Sequence, residues 1–352
     1  MKNIKKLMTC FLFSFLLIIN ICGIQSMSIT KENYKIENPY SQINWQEVNQ
    51  VKTNLHTHTN KSDGKDSIQD VVNKYAELGY GLLAITDHNK LTFPWNDPIK
   101  GDEEIIIPKG LNLIPGSEYS DQHHINGFFI KDFHSFSNEE EVLSDIEKQG
   151  GISQLNHPGR YNKSLDWYLN LYNKYESLVG LEVINKTDRY PDDRQLWDDI
   201  LTKIIDKRNV FGLANADSHK MKDIDTSYNV VLIDGEYSNE KIKSALKNGQ
   251  FYFSARICKE NDRSSNKDLN PPIITSINVD NENLTITITG ENIKSIDWIG
   301  SNGRHISSGE SFEVINNTST PYIRAVIKGE GGVTFTQPFK IIESNPAEKS
   351  VD

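Results

Sequence analysis

The sequence predicts an α/β fold followed by a small all-β unit, on three observations. Segments with helical spacing alternate with short apolar runs as far as residue 256. Those runs are continuously apolar rather than alternating, the pattern of strands covered on both faces. From residue 273 the pattern changes to closely spaced alternating strands separated by turn residues, which suggests a β-sandwich.

In chain order, residues 1–26 read as a secretory signal peptide. Lys2, Lys5 and Lys6 precede an apolar stretch from Leu7 to about Ile24. Export to a secreted, periplasmic or cell-surface location is the expectation, with membrane contact only through this segment. The rival is an uncleaved anchor, since the stretch is nearly long enough to span a bilayer. Lipid attachment at Cys22 is disfavoured, because bulky Ile21 stands where a lipoprotein site takes a small residue. Cys10 and Cys22 fall in this segment, and Cys258 reads as a small buried apolar side chain. Residues 27–50 form a polar lead-in to which no function is assigned.

Residues 51–258 carry the strand–helix alternation. A strand runs into Asn54 and is followed by His56 and His58, two apart and so on one face. Residues 68–78 have helical spacing, with Val71, Val72, Tyr75, Ala76 and Leu78 apolar, and Gly79 closes them. The apolar run 81–86 stops at Asp87 and His88. Residues 111–114 lead to Glu118, and 123–130 begin with His123 and His124. A helix over 142–149 precedes a strand ending at His157. Residues 179–185 form a strand containing Glu182. Residues 193–206 form a helix with Leu196, Trp197, Ile200, Leu201 and Ile204 on one face, and residues 210–216 lead into Asp217 and His219. Residues 259–272 are a polar linker, 273–344 the β-sandwich, and 345–352 a disordered tail.

An isolated His-x-His is more often two exposed histidines on an edge strand than a metal site. The rest of the chain decides the matter. Parallel β/α units gather polar residues at the C-terminal ends of their strands. His56, His58, His88, His124, His157 and His219 all fall at that mouth, with Asp63, Glu118 and Asp217. Imidazole and carboxylate together are the ligands of hydrolytic zinc, manganese and iron sites. His123, His134 and His305 fall outside the pattern and read as surface residues.

Taken in order, the motifs resemble the PHP family, the metal-dependent phosphoesterases named for polymerase and histidinol phosphatase. They are His-Thr-His with Ser-Asp-Gly, Thr-Asp-His, Pro-Gly-Ser-Glu, His-Ile-Asn-Gly, Asn-His-Pro and Ala-Asp-Ser-His, over roughly residues 51–256. The resemblance implies a distorted seven-stranded β/α barrel with two or three divalent metal ions at its C-terminal face. It implies His56, His58, Glu118 and Asp217 as ligands of one metal. It gives Asp63, His88 and His219 to a second, and His124 and His157 with bridging Glu118 to a third. Many family members have histidine where this chain has Asp63, which leaves the metal open among zinc, manganese and iron. The trailing β unit also resembles an exported branch related to carbaryl-hydrolase-like metallohydrolases.

The expected activity is hydrolysis of a phosphomonoester or phosphodiester by a metal-bridging hydroxide, on a small phosphorylated substrate. Asp217 and Asp87 are candidates to orient the attacking water. Arg160 is a candidate phosphate clamp, with a solvated loop charge as the equal alternative. Glu182 is expected behind the ligands. The alternatives are carbamate or carboxylic ester hydrolysis on the same site, and a non-catalytic surface binding protein with a structural metal centre. The formal net charge of −10 argues against nucleic acid as a stable partner. For the β-sandwich, packing against the barrel is favoured over carbohydrate binding. Oligomeric state is not legible.

Overall fold

The computed structural model describes residues 34–94, 105–257, 269–317 and 319–343. The signal segment, Cys258, most of the linker and the tail lie outside them, as do residues 95–104 of the insertion after His88. No helix among the described residues is long and apolar enough to cross a membrane.

The N-terminal half of the strand–helix region comprises β1 (Tyr34–Glu37), β2 (Asn49–Asn54), α1 (Ile68–Glu77), β3 (Leu82–Ala84), β4 (Asn112–Ile114), β5 (Gly116–Tyr119), β6 (Ile125–Phe128), α2 (Glu139–Lys148) and β7 (Ile152–Leu155). It continues through α3 (Leu165–Lys174), β8 (Leu178–Asn185), α4 (Asp193–Ile204), β9 (Phe211–Asn215), β10 (Ser227–Ile233), α5 (Asn239–Lys247) and β11 (Phe251–Ala255). The C-terminal strands are β12 (Ile273–Asp280), β13 (Thr285–Glu291), β14 (Ser295–Gly300), β15 (Arg304–Ser308), β16 (Ser311–Glu313), β17 (Tyr322–Gly329), β18 (Gly332–Phe335) and β19 (Phe339–Glu343).

Helix ends follow their capping chemistry. Ser67 caps α1 by accepting from the Asp70 amide, and Ile68, Val71, Val72 and Tyr75 form its buried face. α2 begins three residues before the expected 142, because Asn138 caps it and Glu139, Glu140 and Glu141 fill its first turn. α3 and α5 were not anticipated, although Ser164 and Ser238 cap them in the same way.

The strands around the ligand residues are paired in two sheets, linked by the isolated bridges Thr57–Ser218 and His88–Glu118. β2, β3 and β4 are parallel, with β10 and β11 added antiparallel beside β2. The other sheet runs β5-β6-β7-β8-β9. Carboxamide side chains bridge one gap between them. Asn229 on β10 accepts from the Ala214 amide at 3.0 Å and donates to the Ala214 carbonyl at 2.9 Å. Gln337 does the same for Gly212, at 3.0 and 2.9 Å. Asn215 accepts from the Leu55 amide, and Asn54 from that of Ala216. Asn229 and Gln337 supply the donor–acceptor pair of a missing strand neighbour, and Asn215 and Asn54 an acceptor each, so the buried backbone stays satisfied between the sheets. At the other gap the chain passes directly through Pro115, and His88 bridges Glu118.

The C-terminal strands form two layers. β12, β13 and β16 make a three-stranded sheet. Ile286, Ile288 and Phe312 of that sheet share an apolar cluster with Ile296, Trp298 and Ile327 of β14 and β17. β18 pairs with β11, and Phe335 stacks on Phe253 with ring centroids 5.0 Å apart. The sheet therefore runs continuously from the α/β region into the C-terminal strands. The last two strands, β18 and β19, are separated at Gln337-Pro338. β1 pairs with β19, so part of the polar lead-in is structural.

Candidate metal centre

The ligand residues converge because each ends or follows a strand of the two sheets. His56 and His58 follow β2. The next turn brings in Asp63, and Gly64 is required there: a Cβ at Gly64 would stand 2.7 Å from the His58 carbonyl. His88 follows β3, Glu118 lies in β5 and His124 precedes β6. His157 follows β7, and Asp217 and His219 follow β9. His157 and Asp217 have left-handed backbones, with φ of 31° and 42°. Such non-glycine conformations concentrate at functional sites and cost on the order of 1–3 kcal/mol each.

Four atoms form an inner cage. His56 Nε2 lies 3.1 Å from His58 Nε2, 3.2 Å from Glu118 Oε2 and 3.5 Å from Asp217 Oδ1. His58 Nε2 is 3.2 Å from Glu118 Oε2 and 3.3 Å from Asp217 Oδ1. A tetrahedral ion with ligands at about 2.0–2.1 Å has ligand–ligand edges of about 3.3–3.4 Å. The cage therefore fits one divalent ion. Glu118 Oε2 is buried and makes no hydrogen bond, although imidazole nitrogens surround it. Such an acceptor is costly unless a cation completes it. Glu118 Oε1 is engaged separately, by Asn156 Nδ2 at 2.8 Å and His124 Nδ1 at 2.9 Å, with His157 Nε2 at 3.4 Å.

An outer group opens toward solvent. Asp63 Oδ2 lies 3.1 Å from His219 Nε2 and 3.6 Å from His88 Nε2, and Asp63 Oδ1 is 3.6 Å from His58 Nδ1. His58, Asp63, His88 and His219 form one group able to hold an ion, and His88, Glu118 and His124 form another. The second differs from the expected third set by taking His88 in place of His157. The Asp63 side chain is 53% exposed while that of His56 is fully buried. Ions held by the outer groups would face the mouth, as a catalytic site requires.

Glu182 organises the inner cage from behind. Its Oε1 accepts from His56 Nδ1 at 2.7 Å and from Asn215 at 2.9 Å. Its Oε2 accepts from the His157 amide and Asn185, both at 3.0 Å. His56, His157 and Glu182 also lie close enough to hold an ion. With both oxygens of Glu182 taken, it serves instead to fix the His56 tautomer so that Nε2 faces the cage.

The charge balance follows from this packing. Burial depresses the His56 pKa, but Glu118, Glu182 and Asp217 outweigh it and hold the group well above its ordinary value. His58 behaves likewise: burial is offset by Asp217 and Glu118, which push it up to about 9. Burial raises the pKa of Glu118 and Asp217, yet the imidazoles, His56 foremost by charge, hold both carboxylates well below their usual range. His124 and His219 are lowered, chiefly by burial.

Asp87 is placed differently from the sequence expectation. Its carboxylate accepts from the Thr59 amide and hydroxyl, the Ser62 hydroxyl and the Thr92 hydroxyl, each at 2.7 Å. It anchors the 59–62 loop and does not line the mouth, so a role in orienting water does not follow. His123, expected at the surface, is buried between the rings of Tyr161 and Trp167 at 4.2 and 5.2 Å. Burial lowers its pKa to about 3, so it stays neutral. His134 and His305 are exposed.

The ligands open into a cavity of about 330 Å³ that is also lined by Ser120, Arg160, Lys186 and Arg189. Arg160 thus lies where the sequence put it, at the mouth, while Lys186 and Arg189 were not anticipated. Lys186 Nζ is 3.8 Å from Asp217 Oδ2. A larger cavity of about 820 Å³ lies between the lead-in and the ends of α3 and α5, lined by residues such as Asn38, Tyr172, Arg208 and Lys247. It holds none of the ligand groups, so the chemistry belongs to the smaller one.

Among solved structures, the chain is similar to a two-domain protein of Bacteroides vulgatus described as containing a predicted PHP-like metal-dependent phosphoesterase. The identity is 17%, covering 83% of this chain and 87% of that one, with a TM-score of 0.48. It is also similar to an amidohydrolase of Chromobacterium violaceum with bound sulfate and no metal, at 15% identity over 48% of this chain and 87% of that one, TM-score 0.37. A third is a lesion-specific endonuclease of Pyrococcus furiosus, at 16% identity over 56% of each chain, TM-score 0.37. At these identities the residues, not the relatives, carry the functional reading. No curated protein matches the chain. Residues 54–211 match the family described as PHP domain, a span that contains every ligand residue from His56 to His157 and ends just before Asp217 and His219.

Proposed function

We propose that the protein is an exported, metal-dependent phosphoesterase acting on a small phosphorylated substrate. The carrying observation is the cage of His56 Nε2, His58 Nε2, Glu118 Oε2 and Asp217 Oδ1, with its buried, unbonded carboxylate oxygen. Divalent zinc, manganese or iron, two or three per chain, suits this set of nitrogen and oxygen donors. When bound, such ions supply Lewis acidity toward a phosphoryl group and a water of lowered pKa.

The chain's own residues divide the remaining work. Glu182 orients His56, and Asp87 holds the loop that presents Asp63. Asp217 directs Oδ1 into the cage, while its Oδ2 accepts from Asn185 at 3.3 Å and faces Lys186, a position from which it can orient a water. Arg160 lies on the cavity wall, where a guanidinium can grip an anionic group of the substrate in bidentate fashion. His123, neutral and clamped between aromatic rings, fixes the backbone next to His124.

The test is turnover of p-nitrophenyl phosphate and bis-p-nitrophenyl phosphate by metal-loaded protein, beside the His58→Ala variant. Cleavage of either ester by the parent and loss in the variant is the expected result. Failure on both esters, with the variant indistinguishable from the parent, overturns the reading. Activity on a naphthyl carbamate alone would move the protein to the carbaryl-hydrolase-like branch.

A further inference from the structure

Three cations share the wall of the 330 Å³ cavity in a chain of net charge −10. The loops after β7 and β8 contribute them, whereas Asp63, His88 and His219 come from the loops after β2, β3 and β9. Among the described residues, the guanidinium groups of Arg160 and Arg189 make no ion pair or hydrogen bond, and the nearest carboxylate to Lys186 is that of Asp217 at 3.8 Å. Like charges gathered on one wall of a cleft raise the local concentration of counter-ions, so this grouping favours an anion from outside.

The local structure holds these cations in place. Arg160 lies over the Tyr161 ring at 5.9 Å, and Arg189 over the Tyr190 ring at 5.1 Å. Those two tyrosines flank the His157 ring, at 6.0 and 6.3 Å. Two arginine–tyrosine pairs therefore stand on either side of a ligand residue, and stacking limits the freedom of each planar group. The turn carrying Lys186 and Arg189 is closed by the Arg189 amide donating to the Asn185 carbonyl at 2.9 Å. Its one acidic residue, Asp188, is buried and paired with Arg194 at 2.8 Å, leaving Lys186 and Arg189 without an acid from their own turn.

We propose that Arg160, Lys186 and Arg189 form a subsite for a second anionic group, so that the site selects small phosphate esters bearing an additional carboxylate or phosphate. This rests on the phosphoesterase reading for the ester that is cut. A phosphoryl group at the ligand cluster meets divalent charge there. A phosphoryl group held there leaves the guanidinium groups of Arg160 and Arg189 without an anion, and a second anionic group reached across a short carbon frame supplies one. The cavity volume is at the lower end of the roughly 300–1,000 Å³ typical of small-molecule sites, which fits a compact substrate.

The probes are phenyl phosphate and 4-carboxyphenyl phosphate, which differ by one carboxylate. Calorimetric titration of the metal-loaded protein with the phosphonate analogues of the two esters, which are not hydrolysed, is expected to show about 10-fold or tighter binding of the carboxylated analogue, the effect of one charge-assisted guanidinium contact. Arg189→Gln and Lys186→Gln should erase that preference, keep the affinity of the uncarboxylated analogue within about 2-fold and leave the melting temperature unchanged, since loop substitutions of this kind are nearly neutral for stability. In metal-loaded protein the same variants should lower the kcat/KM ratio between the two esters. Equal binding of the two analogues by the parent protein overturns the subsite, as does a variant that weakens both equally. If neither ester is hydrolysed but the binding preference and its loss persist, the subsite stands and the phosphoesterase reading falls.

Discussion

Among the described residues, two buried carboxylates invite comparison: Asp198 has both oxygens bonded, and Glu118 has only one. At the joint between α4 and the C-terminal strands, Asp198 Oδ1 accepts from the Tyr322 hydroxyl and Arg324 Nε, both at 2.8 Å. Its Oδ2 accepts from Arg324 NH2 at 2.6 Å. The partners are 2% and 4% exposed, and the guanidinium lies over Trp197. At the mouth, Glu118 is equally buried, yet one oxygen bonds nothing and faces imidazole nitrogens at 3.1–3.2 Å. Both clusters bear the cost of burying charge. A carboxylate with both oxygens bonded closes on its own partners and is structural; one left open at an oxygen among imidazole nitrogens is arranged for a guest.

The largest expected effect concerns the open cluster. Glu118→Ala removes an atom from the inner cage and the Oε1 contact to His124, and should lose at least one metal equivalent per chain. Turnover should fall by more than about 100-fold, beyond the 10–100-fold typical of residues behind the ligands. Metal analysis and steady-state rates read this out, and retained metal would break the contrast. Next is the closed cluster. Asp198→Leu leaves the Arg324 charge buried, and should cost about 3–5 kcal/mol in denaturant unfolding while leaving metal content intact. The double variant Asp198→Leu/Arg324→Met should recover most of that loss.

Smaller is Glu182→Gln, which keeps the shape but weakens the grip on His56 Nδ1. Metal affinity should drop about 10–100-fold with little change in stability. A fall in stability instead would make Glu182 part of a structural cluster. Smallest is the pH effect. In the metal-free protein His58 holds its proton to about pH 9. Metal must displace it, so loading at neutral pH should release protons, and apparent affinity should rise with pH until about 9. The sign for stability is the reverse. The raised His58 pKa stabilises the metal-free fold fully below 6.5, and that contribution is lost as pH rises through about 9. Melting temperatures of loaded and metal-free protein should therefore diverge across this window.

The clustering of the candidate ligands was legible because strand ends in β/α units share one face, so spacing along the chain maps onto a place in space. Glu182 was placed behind them for the same reason. Asp87 was not: whether a carboxylate at a strand end faces the mouth depends on donors elsewhere, here Thr59, Ser62 and Thr92. His123 shows the same limit, since its burial is made by Tyr161 and Trp167, far along the chain. The amide seams of Asn229 and Gln337, which join the two sheets, leave no periodic signal in the sequence. The caps of α3 and α5 were visible as Ser164 and Ser238, and the apolar spacing of Ile242, Ala245 and Leu246 supports the second. Lys186 and Arg189 carry no motif. Their placement comes from a turn with left-handed backbone at Lys186 and Asp188, which sequence spacing does not reveal.

Metal content of the form lacking residues 1–26, measured by mass spectrometry after growth with zinc, manganese and iron, tests the open cluster most directly. The account predicts two or three divalent ions per chain, with loss of at least one in His58→Ala. Fewer than one ion per chain in the parent protein would contradict it, because Glu118 Oε2 would then be a buried charge that nothing completes.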